Sequence, residues 1–306
     1  MYRQIARNKR FGILLIAVFC VVIVGLGLFT AWVVEDWWPF WLLMIFCPLY
    51  VWWQLSHATE HAAKAAGWVA STPDAEPRLH RIVETTAIRA GIPVPQIGVI
   101  EDAAPNAFAA SLRPEKAVIG VTRGALELLD DSELEAVIAH EVAHIVNQDG
   151  RVTLTTFALV GSIAVVASGL LTTGWLLMNA APRSLRNGSG VVFGMIGIGI
   201  LILGSIFWLV ATVLGPVISA AVSRKREFLA DASGVELTRF PDGLVRALEK
   251  IAAHPAGVAG STSRTAEVQA LFIYAGGGAS WVEKLLGTHP PVEERVERLR
   301  AMGSSF

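Results

Sequence analysis

His140-Glu141-Val142-Ala143-His144 sets two imidazoles four residues apart, with a carboxylate beside the first. On a helix, positions i and i+4 share a face, so both rings can reach one Zn²⁺ while the carboxylate serves as general base. A hydrolytic zinc takes three protein ligands and leaves a fourth position for water, so this segment is one ligand short. The candidate for it is Glu227-Phe228-Leu229-Ala230-Asp231, where Glu227 and Asp231 lie one helical turn apart and project together. Glu227 would bind the metal, and Asp231 would accept the second N–H of a ligating imidazole and fix its tautomer. Taken alone, an E-x-x-x-D pair is also an ordinary solvated helix face. A second pattern, His57-Ala58-Thr59-Glu60-His61, fits the inverted H-x-x-E-H motif. It is alanine-rich, has Lys64 one turn on and lacks a paired E-x-x-x-D, so it reads as a juxtamembrane helix.

The elements around these residues are legible from local pattern. Asp131-Ser132 followed by Glu135 predicts a capping-box helix start with Ser132 as N-cap, and Asp149-Gly150 predicts its stop. Between them Leu134, Val137, Ile138, Val142 and Ile145 form a broad apolar face suited to a buried metal helix. Upstream, helical patterns run from Ser56 to Ala70 and from Glu76 to Ala90. Short β-prone runs follow at Ile97–Glu101, Ala107–Leu112 and Ala117–Val121. A small sheet before the metal helix is expected, with an exposed edge at Asn106, Ala107, Phe108 and Ala109 that a substrate could join as an added strand. Downstream, helices are predicted at Pro241–Ala253 and Pro291–Met302, separated by Gly/Ser-rich stretches at Gly257–Ser263 and Gly276–Gly278. His80, His254 and His289 are isolated and read as surface or structural residues.

Composition points to a bilayer: 53% of residues are hydrophobic and only 17% charged, against about 25% charged in soluble domains. A net charge of −1 gives no reason to expect nucleic acid as a partner. Cys20 and Cys47 sit in apolar runs, which argues against a disulfide framework or a thiolate metal site. Four uncharged windows are long enough to span a membrane: Phe11–Val34, Trp37–Leu55, Val152–Pro182 and Asn187–Ser223. The first is too long for a signal-peptide core and is followed by tryptophans, so it reads as a retained anchor. Arg3, Arg7, Lys9 and Arg10 before it, against Glu35 and Asp36 after it, predict a cytoplasmic N-terminus. Arg224, Lys225 and Arg226 after the fourth window agree, while Arg183 and Arg186 weigh less strongly the other way. Tryptophans 32, 37, 38 and 41 at one face, with 52 and 53 at the other, read as interfacial belts.

The expected organisation is therefore a mainly α integral membrane protein with four transmembrane helices and a cytoplasmic α+β protease domain. Residues 1–55 form an anchor of two helices, 56–151 the first part of the domain, 152–223 a transmembrane hairpin, and 224–306 the second part. His144 lies eight residues before Val152 and Glu227 four after Ser223. At about 1.5 Å per residue this puts the metal within roughly 10 to 15 Å of the cytoplasmic membrane surface. The fourth window exceeds what a bilayer requires, so its end is expected to continue as a helix that delivers Glu227.

Asn106-Ala107-Phe108-Ala109, the H-E-x-x-H segment, Ser223-Arg224-Lys225-Arg226 running into Glu227–Asp231, and Thr288-His289-Pro290-Pro291, on four spans, together resemble the HtpX-type membrane zinc proteases. That group is related to the CAAX prenyl proteases. The resemblance covers nearly the whole chain. It implies one Zn²⁺ per chain held by His140, His144 and Glu227, Glu141 as catalytic carboxylate, and Asp231 behind a ligand. It also implies an endopeptidase of a bacterial-type inner membrane that cleaves cytoplasmic regions of misfolded or damaged membrane proteins, or other unfolded polypeptides. A CAAX-type prenyl protease and a non-catalytic zinc-bearing scaffold or holdase are the alternatives. The intact Glu141 speaks against the scaffold, because a structural site needs no general base.

Overall fold

The structure is a computed structural model that describes residues 2–180, 189–255, 272–273 and 290–303. Arg183 and Arg186, the glycine-rich stretches at 257–263 and 276–278, and Thr288-His289 lie outside the described residues. The chain divides into two compact units, one of residues 1–14, 54–155 and 219–306 and one of residues 15–53 and 156–218.

The elements are α1 (Tyr2–Val34), α2 (Trp38–Ala65), β1 (Trp68–Ala70), α3 (Pro77–Ala90), β2 (Gln96–Ile100), β3 (Ala107–Ala110), β4 (Val118–Thr122), α4 (Arg123–Leu128), α5 (Asp131–Asn147), α6 (Asp149–Ala180), α7 (Ser189–Thr238), α8 (Pro241–Ala253) and α9 (Val292–Gly303). Three helices among the described residues are long and apolar enough to cross a membrane, over Arg10–Trp32, Asp149–Asn179 and Val192–Thr212. Their surfaces fit that solvent: Val21, Ile202 and Leu209 are more than half exposed, which suits hydrocarbon and not water. The expected span Trp37–Leu55 is helical within α2 but is not one of the three. Its apolar stretch includes four tryptophans, contains Pro48, and runs directly into His57, Glu60, His61 and Lys64. Within the same unit, a Cβ on Gly174 would lie 2.8 Å from the Gly197 carbonyl oxygen. Side-chain-free positions thus let the backbones of α6 and α7 approach closely, as is common between membrane helices.

The other unit is built on a four-stranded sheet in the order β1-β2-β4-β3, with β2 and β4 parallel and both outer strands antiparallel. Period-two alternation divides its side chains between two faces. Ile97, Val99, Ala107, Ile119 and Val121 join the main core with α3, α5, α8 and α9, through Leu79, Leu134, Val137, Ile138, Val142, Leu248 and Leu299. Phe108, Ala110, Val118 and Ile100 face the other way, onto Ala63, Ala66 and Phe272. The helix expected to run on to Ala70 stops at Ala65. Gly67 turns the chain at φ 77°, and Trp68–Ala70 becomes an edge strand. The Trp68 indole lies across the paired glycines Gly98 and Gly120 and donates to the Ile119 carbonyl at 2.9 Å.

The start of the metal helix differs by two residues from the expected one. Asp130, not Ser132, is the N-cap: its carboxylate accepts from the Glu133 N–H, and Glu133 accepts from the Asp130 N–H, each at 2.9 Å. Glu133 is buried and also meets Lys250 at 2.7 Å and Arg246 at 3.4 Å, both on α8. These ion pairs select this register over the Ser132/Glu135 alternative. The helix end differs as well. Gln148 adopts the left-handed conformation at φ 56° and closes α5, and Asp149-Gly150 opens α6.

A Cβ on Gly120 would collide with the buried Phe108 ring and approach Trp68. Gly120→Ala should therefore lower stability by about 1–3 kcal/mol, read as a lower thermal midpoint in detergent with unchanged helix content. An unchanged midpoint would disprove the tight stacking.

Candidate metal centre

Residues 140, 141 and 144 sit on the buried side of α5, whose apolar face packs into the main core. The third residue comes from α7, which continues unbroken to Thr238 and carries Glu227 beyond the apolar window, as the length of that window predicts. Glu227, Asp231 and Gly234 are spaced i, i+4, i+7 and form one stripe. Gly234 is where α7 meets α5: a Cβ there would stand 3.0 Å from the His140 backbone nitrogen and 3.1 Å from its Cα. The missing side chain brings the two helix backbones together and sets the carboxylates one and two turns earlier against the histidines.

The result is a tight group of three donors. His140 Nε2 and His144 Nε2 are 3.2 Å apart, and the Glu227 carboxylate lies 3.6 Å from the first and 3.4 Å from the second. Among the described residues this is the only set of three or more His, Cys, Asp or Glu whose ligand atoms converge this closely. His57 and His61 stack at 5.9 Å between ring centroids and Glu60 pairs with Lys64 at 2.6 Å, but among the described residues they form no such three-donor group. His80 bonds Ser71 at 2.9 Å.

Each remaining ring nitrogen is held by its own carboxylate. Asp231 lies 2.9 Å from His140 Nδ1, and Asp149 lies 2.9 Å from His144 Nδ1. In their neutral form both imidazoles would keep the proton on Nδ1 and turn the Nε2 lone pair towards the common point, an arrangement that suits a divalent metal. The donor set of two imidazoles and one carboxylate fits zinc.

Asp149 was not legible as part of this site. On a continuous helix a residue five positions after His144 lies about 140° around the axis. The left-handed Gln148 breaks that geometry and turns Asp149 back onto the imidazole. Arg295 on α9 was missed as well, because one arginine among the mixed charges of E-E-R-V-E-R carries no sequence signal. It is 1% exposed and donates to both Asp231 oxygens, at 2.9 and 2.6 Å, and to the Ile273 carbonyl at 3.0 Å.

Glu141 is buried beside His140, and its charge helps keep Arg295 protonated. Among the three converging donors His144 has the most exposed side chain, 18% against 4% for Glu227 and 0% for His140. Asn106 is buried and turns its own Oδ1 to the Ala107 N–H at 3.0 Å. The sheet edge expected to be exposed at Ala107 and Phe108 is covered: Phe272 bridges Phe108 antiparallel, and the Ile273 N–H donates to the Ala107 carbonyl at 2.9 Å. Ala107 and Phe108 are fully buried as a result.

The charges are strongly coupled. Burial alone pulls the pKa of His140 down, yet the hydrogen bonds to Asp231 and Glu227 outweigh it and carry it up to about 9. Burial likewise works to raise Asp231, but the Arg295 guanidinium and the His140 ring hold it at about 2. Burial opposes the charge on Arg295 too, and Asp231 more than offsets it.

A profile described as Peptidase family M48 matches residues 73–303. The chain is 35% identical over 305 residues to a protein named Protease HtpX homolog from Thermoanaerobacter pseudethanolicus, covering 99% of this chain and 98% of that one. It is 34% identical over 309 residues to the protein of the same name from Streptococcus uberis, covering 99% and 100%. A crystal structure of S. mikatae Ste24p is similar at a TM-score of 0.49 and 18% identity, covering 98% of this chain and 66% of that one.

Two outcomes follow from the coupling. Arg295→Met leaves the Asp231 carboxylate buried without its cation and should cost about 3–5 kcal/mol of stability, seen as a large fall in thermal midpoint. A change below about 1 kcal/mol would show the pair to be dispensable. Because a metal must displace the proton that His140 holds up to about pH 9, apparent zinc affinity should rise about tenfold per pH unit from near neutrality and level off above that pKa. Calorimetry across pH should register the released proton, and a flat profile would refute the coupling.

Proposed function

The chain belongs to peptidase family M48, and from that premise we propose that this membrane metalloprotease is a zinc endopeptidase with one Zn²⁺ per chain, held by His140, His144 and Glu227. The observation that carries the reading is the convergence of two Nε2 atoms and a carboxylate whose imidazoles are each anchored by a further carboxylate. When bound, zinc supplies a Lewis acid that polarises the scissile carbonyl and makes water acidic enough to lose a proton near neutrality. Glu141, adjacent to the first ligand, takes the proton of the attacking water and returns it to the departing amine nitrogen. Asp231 and Asp149 hold the ring orientations, and Arg295 holds Asp231.

Asn106, Ala107, Phe108 and Ala109 are the proposed strand along which a substrate lies. An antiparallel bridge from the chain's own Phe272, with the Ile273 N–H on the Ala107 carbonyl, supports this, because it uses the outer side of β3 as a pairing edge. A substrate that pairs there must take their place.

The substrates we propose are cytoplasmic regions of misfolded or damaged membrane proteins in a bacterial-type inner membrane. The chain's termini and metal centre lie on the cytoplasmic side, as the basic N-terminal cluster supports. Hydrogen-bond connectivity supports four spans over three. Glu227 follows the α6 and α7 windows and meets His140 and His144, which precede them, so that pair of helices returns the chain to the side it left. Asn8 precedes the α1 window yet bonds the Asn147 carbonyl. An outward crossing by α1 therefore requires a return by α2.

The test is cleavage of an unfolded membrane protein by the detergent-purified chain, with zinc content measured in parallel. Glu141→Gln should lose activity about 10²–10⁴-fold and retain zinc. Glu227→Ala should lose both. A fully active Glu141→Gln would overturn the mechanism, and zinc without cleavage in the wild type would favour a scaffold.

A further inference from the structure

Asn8 lies two residues before the apolar window of α1, in a stretch whose evident sequence feature is positive charge. It is nevertheless 2% exposed, an unusual environment for an amide near the end of a chain. Its Nδ2 donates to the Asn147 carbonyl at 3.1 Å and to Asp149 Oδ1 at 2.8 Å. Both partners are acceptors, so the nitrogen of the amide must be the atom that faces them. The other oxygen of Asp149 meets His144 Nδ1 at 2.9 Å. Asp149 is thus gripped at both carboxylate oxygens, and its backbone carbonyl accepts from Arg226 at 2.8 Å.

A carboxylate held by one oxygen can still swing about its Cβ–Cγ bond, whereas one held at both has a fixed plane. Fixing that plane fixes the direction in which His144 Nδ1–H points, and with it the lone pair on Nε2. The two ligand histidines differ in this respect. Asp231, behind His140, is held by the cation Arg295. Asp149, behind the more exposed His144, has a neutral amide from a residue 141 positions away in sequence.

We infer that Asn8 is a positioning residue of the metal centre, acting through Asp149 to orient His144, so that the first apolar helix contributes to metal binding through its cytoplasmic end. The inference rests on the reading of His144 and Glu227 as zinc ligands. It goes beyond that reading by giving the N-terminal helix a part in the chemistry besides anchoring.

The experiment is a double-mutant cycle on the full-length chain in detergent, with zinc affinity read by competition against a chromogenic chelator and thermal midpoint measured on the same samples. Asn8→Ala should weaken zinc binding about tenfold, and Asp149→Ala by about 10–100-fold. If Asn8 acts through Asp149, the double variant should bind no more weakly than Asp149→Ala alone. A lower midpoint with wild-type zinc affinity in Asn8→Ala would reduce Asn8 to a structural contact and overturn the inference, as would full additivity in the cycle. Glu227→Ala separates this failure from that of the underlying reading. If it too kept wild-type affinity, the proposed metal centre itself would be wrong, and the inference would fall with it.

Discussion

The Asp231 carboxylate is the interaction on which the rest of the centre depends. It is almost wholly buried, accepts two hydrogen bonds from Arg295 and meets the His140 ring on its other side. An isolated carboxylate could not remain ionised there, because the loss of hydration far exceeds what a packed core returns. The bidentate guanidinium makes the charge tolerable, and the charge in turn holds the imidazole. Three helices that are distant in sequence, α5, α7 and α9, are brought to one point by this chain of contacts. The Ile273 carbonyl on Arg295 ties the outer side of the β3 edge to the same cluster.

Such a cluster needs a rigid frame, and the frame is apolar. α5 presents Leu134, Val137, Ile138, Val142 and Ile145 to a core shared with the sheet, α3 and α8. At its start the capping box is fastened by Glu133 to Lys250 and Arg246. At its end the left-handed Gln148 closes the helix. Between these fixed ends the metal-facing side can carry His140 and Glu141 fully buried without the helix shifting to hydrate them. Gly234 performs the equivalent task for α7, since a side chain there would separate the helices that the three donors require in contact.

The two histidines are held to different degrees. His140 is enclosed and supported by an ion pair, while His144 keeps some exposure and is supported by Asp149 with its neutral amide partner. The candidate centre thus pairs one imidazole enclosed in the core with one that is partly exposed. The exposed apolar helices of the other unit account for the composition that places this enzyme in a membrane.

What could be read from the sequence was what depends on local periodicity. The i, i+4 histidines, the E-x-x-x-D turn, the three apolar windows that prove long enough to span, and the extension of the last of them into a helix bearing Glu227 all follow from 3.6 residues per turn and the length of a bilayer. β2, β3 and β4 were legible to within about two residues, because alternation is equally local. Local pattern puts the cap of the metal helix at Ser132, whereas the capping box forms at Asp130 and Glu133, where Glu133 also meets Lys250 and Arg246 on the distant α8. Trp68 carried helical propensity from its neighbours until the space above Gly98 and Gly120 drew it into an edge strand. Asp149, Arg295 and Asn8 belong to no motif, and their roles follow from a helix break, a buried cation and a hydrogen bond between segments 139 residues apart. Sequence alone thus determined which residues could bind a metal, since that depends on spacing within one helix. Tertiary structure decided how each is held, since the groups that orient a ligand meet it only when distant helices pack.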